Sequence, residues 1–359
     1  MTAESIPTLE RSSSLVARID EALARSMESF CRVSGSSTPE MLDLVNALTR
    51  VTSAGGKRIR PQLFYWGYRA GGEADRPEII ELATAIELFH VFALVHDDLM
   101  DLADTRRGVP TAHKQLAALH RERGWNGDAE HFGVSAGILA GDALCIWADM
   151  TISQNPPPNG RAEPFRRAYD EMRLELISGQ YLDIATGGSG DTSMTSALRL
   201  ARLKSGNYSV SMPLRLGALA GGVDQDTVRG FEAFGTVLGE AFQMHDDVLG
   251  VFGSAAEVGK PVGEDIRQGK RTTLIAAALA SAPPAVAARL LELLADPELS
   301  EAGVAEAKEI ITSSGALDEV RGMLRDRVHS AKRTLAGLRL ADEVRQALHD
   351  LVKIVARSD

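Results

Sequence analysis

The 359-residue chain has little of what marks several large classes of protein. Its two cysteines, Cys31 and Cys145, are too few for a disulfide framework, and this favours a reducing cytoplasm. Aromatic residues make up 5% of the chain, and β-branched runs are scarce, so the composition favours a soluble, helix-rich globule. No run of about 18 uninterrupted apolar residues occurs, and the Ser-rich, acidic start is unlike a signal peptide. We therefore expect no membrane span and a cytoplasmic protein.

Positive charge is also in deficit. The chain has 39 basic and 49 acidic residues, which gives a net charge of −10. A surface that binds a nucleic acid must be basic because it meets a phosphate backbone. The charge therefore argues against nucleic acid as a partner.

Apolar residues recur with helical spacing from residue 41 onward, and Gly- or Pro-containing breaks separate the helical segments. This pattern predicts about a dozen helices and an all-α fold. We expect residues 1–12 to be a disordered lead-in and residues 13–359 to form a single domain, because the motifs described below extend from Gly55 to Arg271 without a boundary between them.

Two segments, 77–101 and 231–251, are apolar on nearly every side and end in carboxylates. A helix that is apolar all round is buried in the centre of a bundle. Two such helices that deliver acids to the same end would create a deep central cavity with an acidic rim. Buried carboxylates need partners, so these acids indicate bound cations.

At the first acidic end, Asp97 and Asp101 lie four residues apart and project from one helical face, with His90 two turns earlier. A solvated helix end would also explain the acids alone. Arg106 and Arg107 follow, however, and guanidinium groups can bind phosphate in a bidentate way. Mg²⁺ prefers carboxylate and phosphate oxygens, so the pattern predicts a diphosphate site.

A second cationic segment lies upstream, where Gly55-Gly56 precedes Lys57, Arg58 and Arg60. Glycine allows the backbone to approach a ligand closely, and Lys57 and Arg60 share one side of a helical turn. The segment is either an ordinary basic helix start or a second phosphate site, and here we treat all three cations as candidate phosphate partners.

Five motifs, in this order and spacing, resemble the trans-isoprenyl diphosphate synthases, also called polyprenyl synthetases. They are Gly-Gly-Lys-Arg-x-Arg-Pro (55–61), His-Asp-Asp-x-x-Asp (96–101), Arg-Arg-Gly (106–108), Lys-Ser-Gly (204–206) and Phe-Gln-x-x-Asp-Asp (242–247). The resemblance implies an all-α isoprenoid-synthase-like bundle, a homodimer, and head-to-tail condensation of isopentenyl diphosphate with an allylic diphosphate. It also implies Mg²⁺ as the cofactor, with three ions per active site when substrate is bound.

The resemblance also implies residue roles. The metal ligands would be Asp97, Asp101 and Asp246. The isopentenyl diphosphate pocket would comprise Gly56, Lys57, Arg60, His90 and Arg107. The allylic diphosphate would meet Arg106, Lys204, Ser205, Gln243, Lys260 and Lys270. Gln180 and Asp183, in a Gly-Gln-x-x-Asp helix, would lie near the reacting groups. The residues expected to be catalytic are Asp97, Asp101, Arg106, Lys204, Asp246 and Lys260.

The chain departs from the family pattern at three places. Gly250 stands where the second acidic motif usually ends in aspartate, Ser205 replaces a threonine, and His245 replaces a basic residue. Asp265 is a candidate for the missing charge at the second metal site. We expect Gly250→Asp to be tolerated.

Phe92 lies five residues before Asp97, about 7.5 Å along the helix at 1.5 Å per residue. It can close the floor of a product cavity, although an ordinary core position would explain it as well. In the resemblance, an aromatic there beside the small Ala93 favours a short product. We expect geranylgeranyl diphosphate (C20), with farnesyl diphosphate (C15) as the alternative.

Two other functions compete. A terpene cyclase needs one diphosphate pocket. This chain has enough basic residues for two, because Lys57 and Arg60 lie far upstream of the first acidic motif. A non-catalytic subunit of a heteromeric prenyl synthase would lack the first acidic motif or its arginines, and this chain has both. We therefore favour a catalytic prenyltransferase.

Overall fold

A computed structural model describes residues 8–253, 263–296 and 298–356 of the chain. Nearly all of the described elements are helices, so the all-α prediction is confirmed. The chain divides into two compact units, one formed by residues 1–65 and 74–159 and the other by residues 66–73 and 160–359. The single domain and the deep central cavity stay predictions.

The first unit contains most of the helices that precede residue 160. They are α1 (Thr8–Ser37), α2 (Met41–Ser53), α4 (Pro77–Met100), α5 (Ala112–Glu122) and α6 (Ala129–Gln154), and α3 (Ile59–Arg69) begins in this unit and ends in the second. A short antiparallel sheet pairs β1 (Thr105–Arg106) with β2 (Val109–Pro110). The first helix includes residues 8–12, which belong to the predicted lead-in, and residues 1–7 lie outside the described part of the chain.

The second unit is built around α10. Its helices are α7 (Ala162–Ser189), α8 (Met194–Leu200), a π-helix (Ala201–Ser211), α9 (Met212–Gly221), α10 (Gln225–Phe252), α11 (Glu264–Arg267), α12 (Thr273–Ser281), α13 (Pro284–Leu294), α14 (Glu301–Ser313), α15 (Ala316–Gly337) and α16 (Asp342–Ala356). The π-helix, α9 and α15 pack against α10.

The two apolar helices that end in carboxylates form close to where the sequence predicts them. Helix α4 has Pro77 at its first turn, where the missing N–H of proline costs no hydrogen bond. Helix α10 begins six residues before the predicted start because Asp224 caps it, accepting a hydrogen bond from the backbone N–H of Thr227 at 3.0 Å.

Two helices, α4 and α6, are long and apolar enough to cross a membrane by length and composition. In α4, 72% of the apolar window is buried inside the structure, which is typical of the core helix of a soluble protein. The lower buried share of α6, 39%, reflects exposed side chains that include Ile138, Leu139 and Ile146. This is weak evidence for a span, and the absence of one stays a prediction.

Candidate active site: two acidic helix ends

In the first unit, the end of α4 holds an ion-paired cluster. Arg106 donates from Nε to Asp98 Oδ1 at 2.6 Å and from Nη2 to Asp97 Oδ2 at 3.1 Å. Asp98 is 1% exposed, whereas Asp97 and Asp101 are half-buried. The two predicted metal ligands thus remain accessible, and the aspartate between them is used to hold Arg106.

Arg106 and Arg107 owe their positions to the hairpin of β1 and β2, which sequence reasoning read only as a break. Arg107 and Gly108 form its two-residue turn, with φ of +52° and +77°. Positive φ at both central residues matches a type I′ turn, whose twist suits a β-hairpin. The strained Arg107 backbone sends the two successive arginines to different partners.

Arg107 reaches the Gly55-Gly56 segment, where its Nη1 donates to the carbonyl oxygen of Gly55. A Cβ at Gly56 would lie 2.6 Å from Arg107 Nη1, so a side chain there would have to displace the Arg107 guanidinium. Both glycines also have positive φ, +83° and +142°. The backbone conformation therefore favours glycine at both positions, and at Gly56 the absence of a side chain also leaves room for Arg107.

His90 and Arg60, which the resemblance assigns to one pocket, are in contact, with 3.0 Å between Arg60 Nη1 and His90 Nε2. Since guanidinium only donates, His90 Nε2 accepts, which assigns a neutral imidazole to this pair. Burial, with the positive charge of Arg60 next, holds the pKa of His90 well below its usual value. Lys57 is exposed, and its carbonyl oxygen accepts a 2.7 Å hydrogen bond from Gln62 Nε2.

Arg58 behaves differently from its neighbours. The guanidinium is 3% exposed and is paired with Glu87 and Asp20, each at 2.8 Å. The prediction that Arg58 is a phosphate partner is therefore wrong, because its charge is already neutralised inside the first unit. Sequence reasoning also missed Glu87, although an acid within an otherwise apolar helix was a usable signal.

In the second unit, the end of α10 buries its second aspartate without an arginine. Asp247, 3% exposed, accepts from Gln243 Nε2 at 2.7 Å and from the backbone N–H of Thr273 at 3.0 Å. Burial raises the pKa of Asp247 to about 7, and the nearby carboxylates of Asp265 and Asp246 act in the same direction. Gln243, predicted as a substrate ligand, donates its side-chain hydrogen bond to Asp247 in this structure.

Gly250 makes room for Asp265. A Cβ at position 250 would overlap the Asp265 carboxylate, and Lys270 Nζ lies 3.9 Å from Asp265 Oδ1. Asp265 therefore brings its charge to the turn where the family pattern has an aspartate. The expectation that Gly250→Asp is tolerated overlooked this contact, since a new carboxylate there must displace Asp265.

The π-helix brings Lys204 to α7. Lys204 Nζ donates to Asp183 Oδ2 at 2.5 Å, and a Cβ at Gly179 would lie 2.7 Å from the backbone nitrogen of Lys204. Gly179 thus lets the two helices touch, and Ser205 follows in the same half-buried stretch. Irregular π-type turns recur at functional sites. Helical spacing in the sequence does not distinguish this π-helix from an ordinary α-helix.

The other predicted site residues that the structure describes lie on α4, α7 and α10. Phe92 lies on α4 with its ring centroid 5.1 Å from that of Phe89 and 4.8 Å from that of His96. Ala93 is half-buried beside it, and Gln180 and Asp246 are half-buried in the second unit. Lys260 lies outside the described residues.

No group of three or more His, Cys, Asp or Glu side chains that could hold a metal ion occurs among the described residues. The donors still fit Mg²⁺, which is commonly bound through one or two carboxylates together with water and substrate phosphates. The half-buried pair Asp97 and Asp101 supplies such carboxylates at α4, as does Asp246 at α10.

Comparison with known proteins gives the same assignment as the motifs. A geranylfarnesyl diphosphate synthase of Aeropyrum pernix is 33% identical over 321 residues, 88% of this chain and 94% of the relative. A farnesyl diphosphate synthase of Geobacillus stearothermophilus is 35% identical over 64% of this chain and 73% of the relative.

A solved geranylgeranyl pyrophosphate synthase structure from Corynebacterium glutamicum, 33% identical, matches with a TM-score of 0.90 over 95% of this chain and 99% of that one. The polyprenyl synthetase family model matches residues 43–311, a range that contains all five motifs. The chain therefore belongs to the polyprenyl synthetase family.

Proposed function

We propose that this protein condenses isopentenyl diphosphate head to tail with an allylic diphosphate and releases a short all-trans prenyl diphosphate. As a polyprenyl synthetase, the chain is a prenyltransferase. The observation that carries the proposal is the first acidic end, where the accessible Asp97 and Asp101 lie beside Arg106, Arg107 and the segment that contains Lys57 and Arg60. Acids that suit a cation and bases that suit a phosphate thus occur together in one unit.

In the proposed reaction, the C–O bond of the allylic diphosphate breaks, and diphosphate leaves with the electron pair. The double bond of isopentenyl diphosphate attacks the allylic carbon to form the new C–C bond. A proton is then lost from the adjacent carbon, with the released diphosphate as its acceptor. Mg²⁺, when bound, would neutralise negative charge on the leaving diphosphate. The solved relative from Corynebacterium glutamicum is described with isoprenyl diphosphate and magnesium.

The residues of the chain would bind and orient rather than exchange protons. Arg60 donates to a neutral His90, and its guanidinium carries the positive charge that would attract a diphosphate. We assign Lys57, Arg60, His90 and Arg107 to isopentenyl diphosphate, and Arg106 to the allylic diphosphate. The assignment of Lys204, Ser205, Gln243, Lys260 and Lys270 to the allylic diphosphate remains part of the proposal. Holding two substrates in a reactive orientation is worth up to about 7–11 kcal/mol of the barrier.

The product we propose is geranylgeranyl diphosphate, with farnesyl diphosphate as the alternative. Support comes from Phe92, which carries an aromatic ring one turn and a half before Asp97 and is itself only half-buried. The test is product chromatography after incubation with isopentenyl diphosphate, Mg²⁺ and each of the C5, C10 and C15 primers. A C20 product from every primer supports the proposal, and no product from any primer rejects the function.

A pair of variants tests the two-pocket assignment. Arg60→Ala should raise the KM for isopentenyl diphosphate by about 10-fold or more, since a charge-assisted phosphate contact is worth roughly 1.5–3 kcal/mol. Arg106→Ala should act mainly on the KM for the allylic primer. If both variants weaken the same substrate equally, the assignment is wrong.

We also propose a homodimer. The exposed side of α6 carries Val134, Ile138, Leu139, Ile146 and Met150, and contiguous exposed apolar surface is typical of an interface. Light scattering should give twice the chain mass of 38.5 kDa. Ile146→Glu should shift the protein toward the monomer, and the exposed Glu122→Gln, on α5, is the control.

A further inference from the structure

Arg58 interacts with three elements of the first unit. Its Nε donates to Asp20 Oδ1 on α1 at 2.8 Å, its Nη1 to Glu87 Oε1 on α4 at 2.8 Å, and its Nη2 to the carbonyl oxygen of Thr52 on α2 at 3.1 Å. Glu87 is equally enclosed, with its side chain 3% exposed. A guanidinium fork suits three fixed acceptors in a way that a lysine ammonium does not.

The backbone at Arg58 is strained in the same place. Its φ is +48°, a left-handed conformation that is unfavourable for an L-residue with a side chain. Such strain persists where surrounding contacts fix the conformation. Here the fixing contacts are those of the guanidinium, so the side chain of Arg58 holds the turn that leads into Arg60.

Glu87 and His90 lie three residues apart on α4 and therefore share one face of the helix. Arg58 binds the first and Arg60 contacts the second, so the 57–60 segment is attached to α4 at two neighbouring points. The exposed Lys57 lies directly before the anchored residue. The segment is thereby fixed relative to His90.

Glu87 also supplies the counter-charge. Arg58, Arg60, Arg106 and Arg107 each lower the pKa of His90, which shows how closely positive charge surrounds this helix. Removing one partner of a buried ion pair is strongly destabilising, because the other charge remains buried.

We propose that the buried Arg58–Glu87 pair is a positioning element that sets Lys57 and Arg60 for isopentenyl diphosphate while touching no substrate itself. The inference rests on the proposed function and deepens it. It predicts that damage to the pair weakens one substrate and spares the other, which a merely structural ion pair would not do.

The experiment compares steady-state KM values, calorimetric binding of inorganic diphosphate, and thermal unfolding. Glu87→Gln should raise the KM for isopentenyl diphosphate about 10-fold, leave the KM for the allylic primer within about twofold, and lower the unfolding midpoint. Glu87→Asp keeps the charge and shortens the reach, so it should fold and show a smaller change of the same kind. Glu81→Gln is the matched control, since Glu81 also links α4 to α1, through Arg25 at 3.2 Å, and should change neither KM.

The double variant Arg58→Met/Glu87→Met separates positioning from stability. Replacing both members of a buried ion pair with apolar side chains often restores stability. The expected result is a recovered unfolding midpoint with a KM for isopentenyl diphosphate that stays raised. A wild-type KM in either this variant or Glu87→Asp overturns the inference. A wild-type enzyme that makes no prenyl product would instead reject the proposed function.

Discussion

The ends of α4 and α10 carry the same Asp-Asp pair after a buried apolar helix, and they bury its second member by different means. At α4, Asp98 is neutralised by the guanidinium of Arg106. At α10, Asp247 accepts from an amide side chain and a backbone N–H, both of which are neutral donors. One end thus depends on an ion pair within the cluster, and the other depends on hydrogen bonds from uncharged donors. Identical letters in a sequence do not fix identical electrostatics.

The largest expected effect is at the accessible acid of the first end. Asp97→Ala removes a proposed metal ligand and one partner of Arg106, and we expect a rate loss on the order of 10³-fold, about 4 kcal/mol of transition-state stabilisation. The measurement is the initial rate with and without a chelator. Asp142→Ala, an exposed acid on α6, is the control and should have little effect. Full activity of Asp97→Ala after chelation would remove the metal assignment.

The buried aspartates test the comparison directly. Asp98→Asn leaves Arg106 without its closest carboxylate and should lower the free energy of unfolding by about 3 kcal/mol. Asp247→Asn should cost less than about 1 kcal/mol, since an amide still offers an acceptor and Gln243 can rotate its own amide. Denaturant unfolding at pH 7 measures both. Equal losses would mean that the two ends are held in the same way.

Gly250 sharpens the contrast further. Gly250→Ala should push the Asp265 carboxylate aside and reduce activity by about 10-fold, whereas Gly250→Asp/Asp265→Gly should recover activity because it moves the carboxylate back to the motif position. Gly187→Ala is a suitable control, since a Cβ there meets no atom within 4 Å. Failure of the double variant to exceed Gly250→Ala in rate would show that Asp265 has a separate role.

The smallest effect on rate is expected at Phe92. Phe92→Ala removes a ring that packs on Phe89 and His96, and the space should stay partly open because packed helices relax incompletely around a deletion. Products should lengthen by one or more five-carbon units at nearly unchanged total rate, as measured by chromatography. An unchanged product length would place the floor of the cavity at another residue.

The fold class and the helices that follow from local spacing could be predicted from the sequence. Helical periodicity predicted α4 almost to the residue, and Arg60 and His90, which the resemblance assigned to one pocket, are in contact. The family and the all-α class are confirmed. Site roles, Mg²⁺ and the dimer stay predictions.

The contacts that could not be predicted from the sequence depend on the direction in which individual side chains point. Arg58 looks like its neighbours in sequence, but a positive φ and three acceptors from distant elements turn it inward. Gly250 looks like the loss of a metal-binding aspartate, but the structure places the Asp265 carboxylate next to it. These contacts join residues that are far apart in the chain, so no periodicity reports them.

The pairing of Arg106 with Asp97 makes cation and anion binding at α4 thermodynamically linked. A cation that takes Asp97 Oδ2 competes with Arg106 Nη2, and a phosphate that takes Arg106 frees the carboxylate. By linkage, each ligand raises the affinity for the other by the same factor. If Mg²⁺ binds here as proposed, the first helix end would favour loading of the cation together with a diphosphate over loading of either alone, and Arg106 alone offsets part of the negative charge of Asp97 and Asp98 before that.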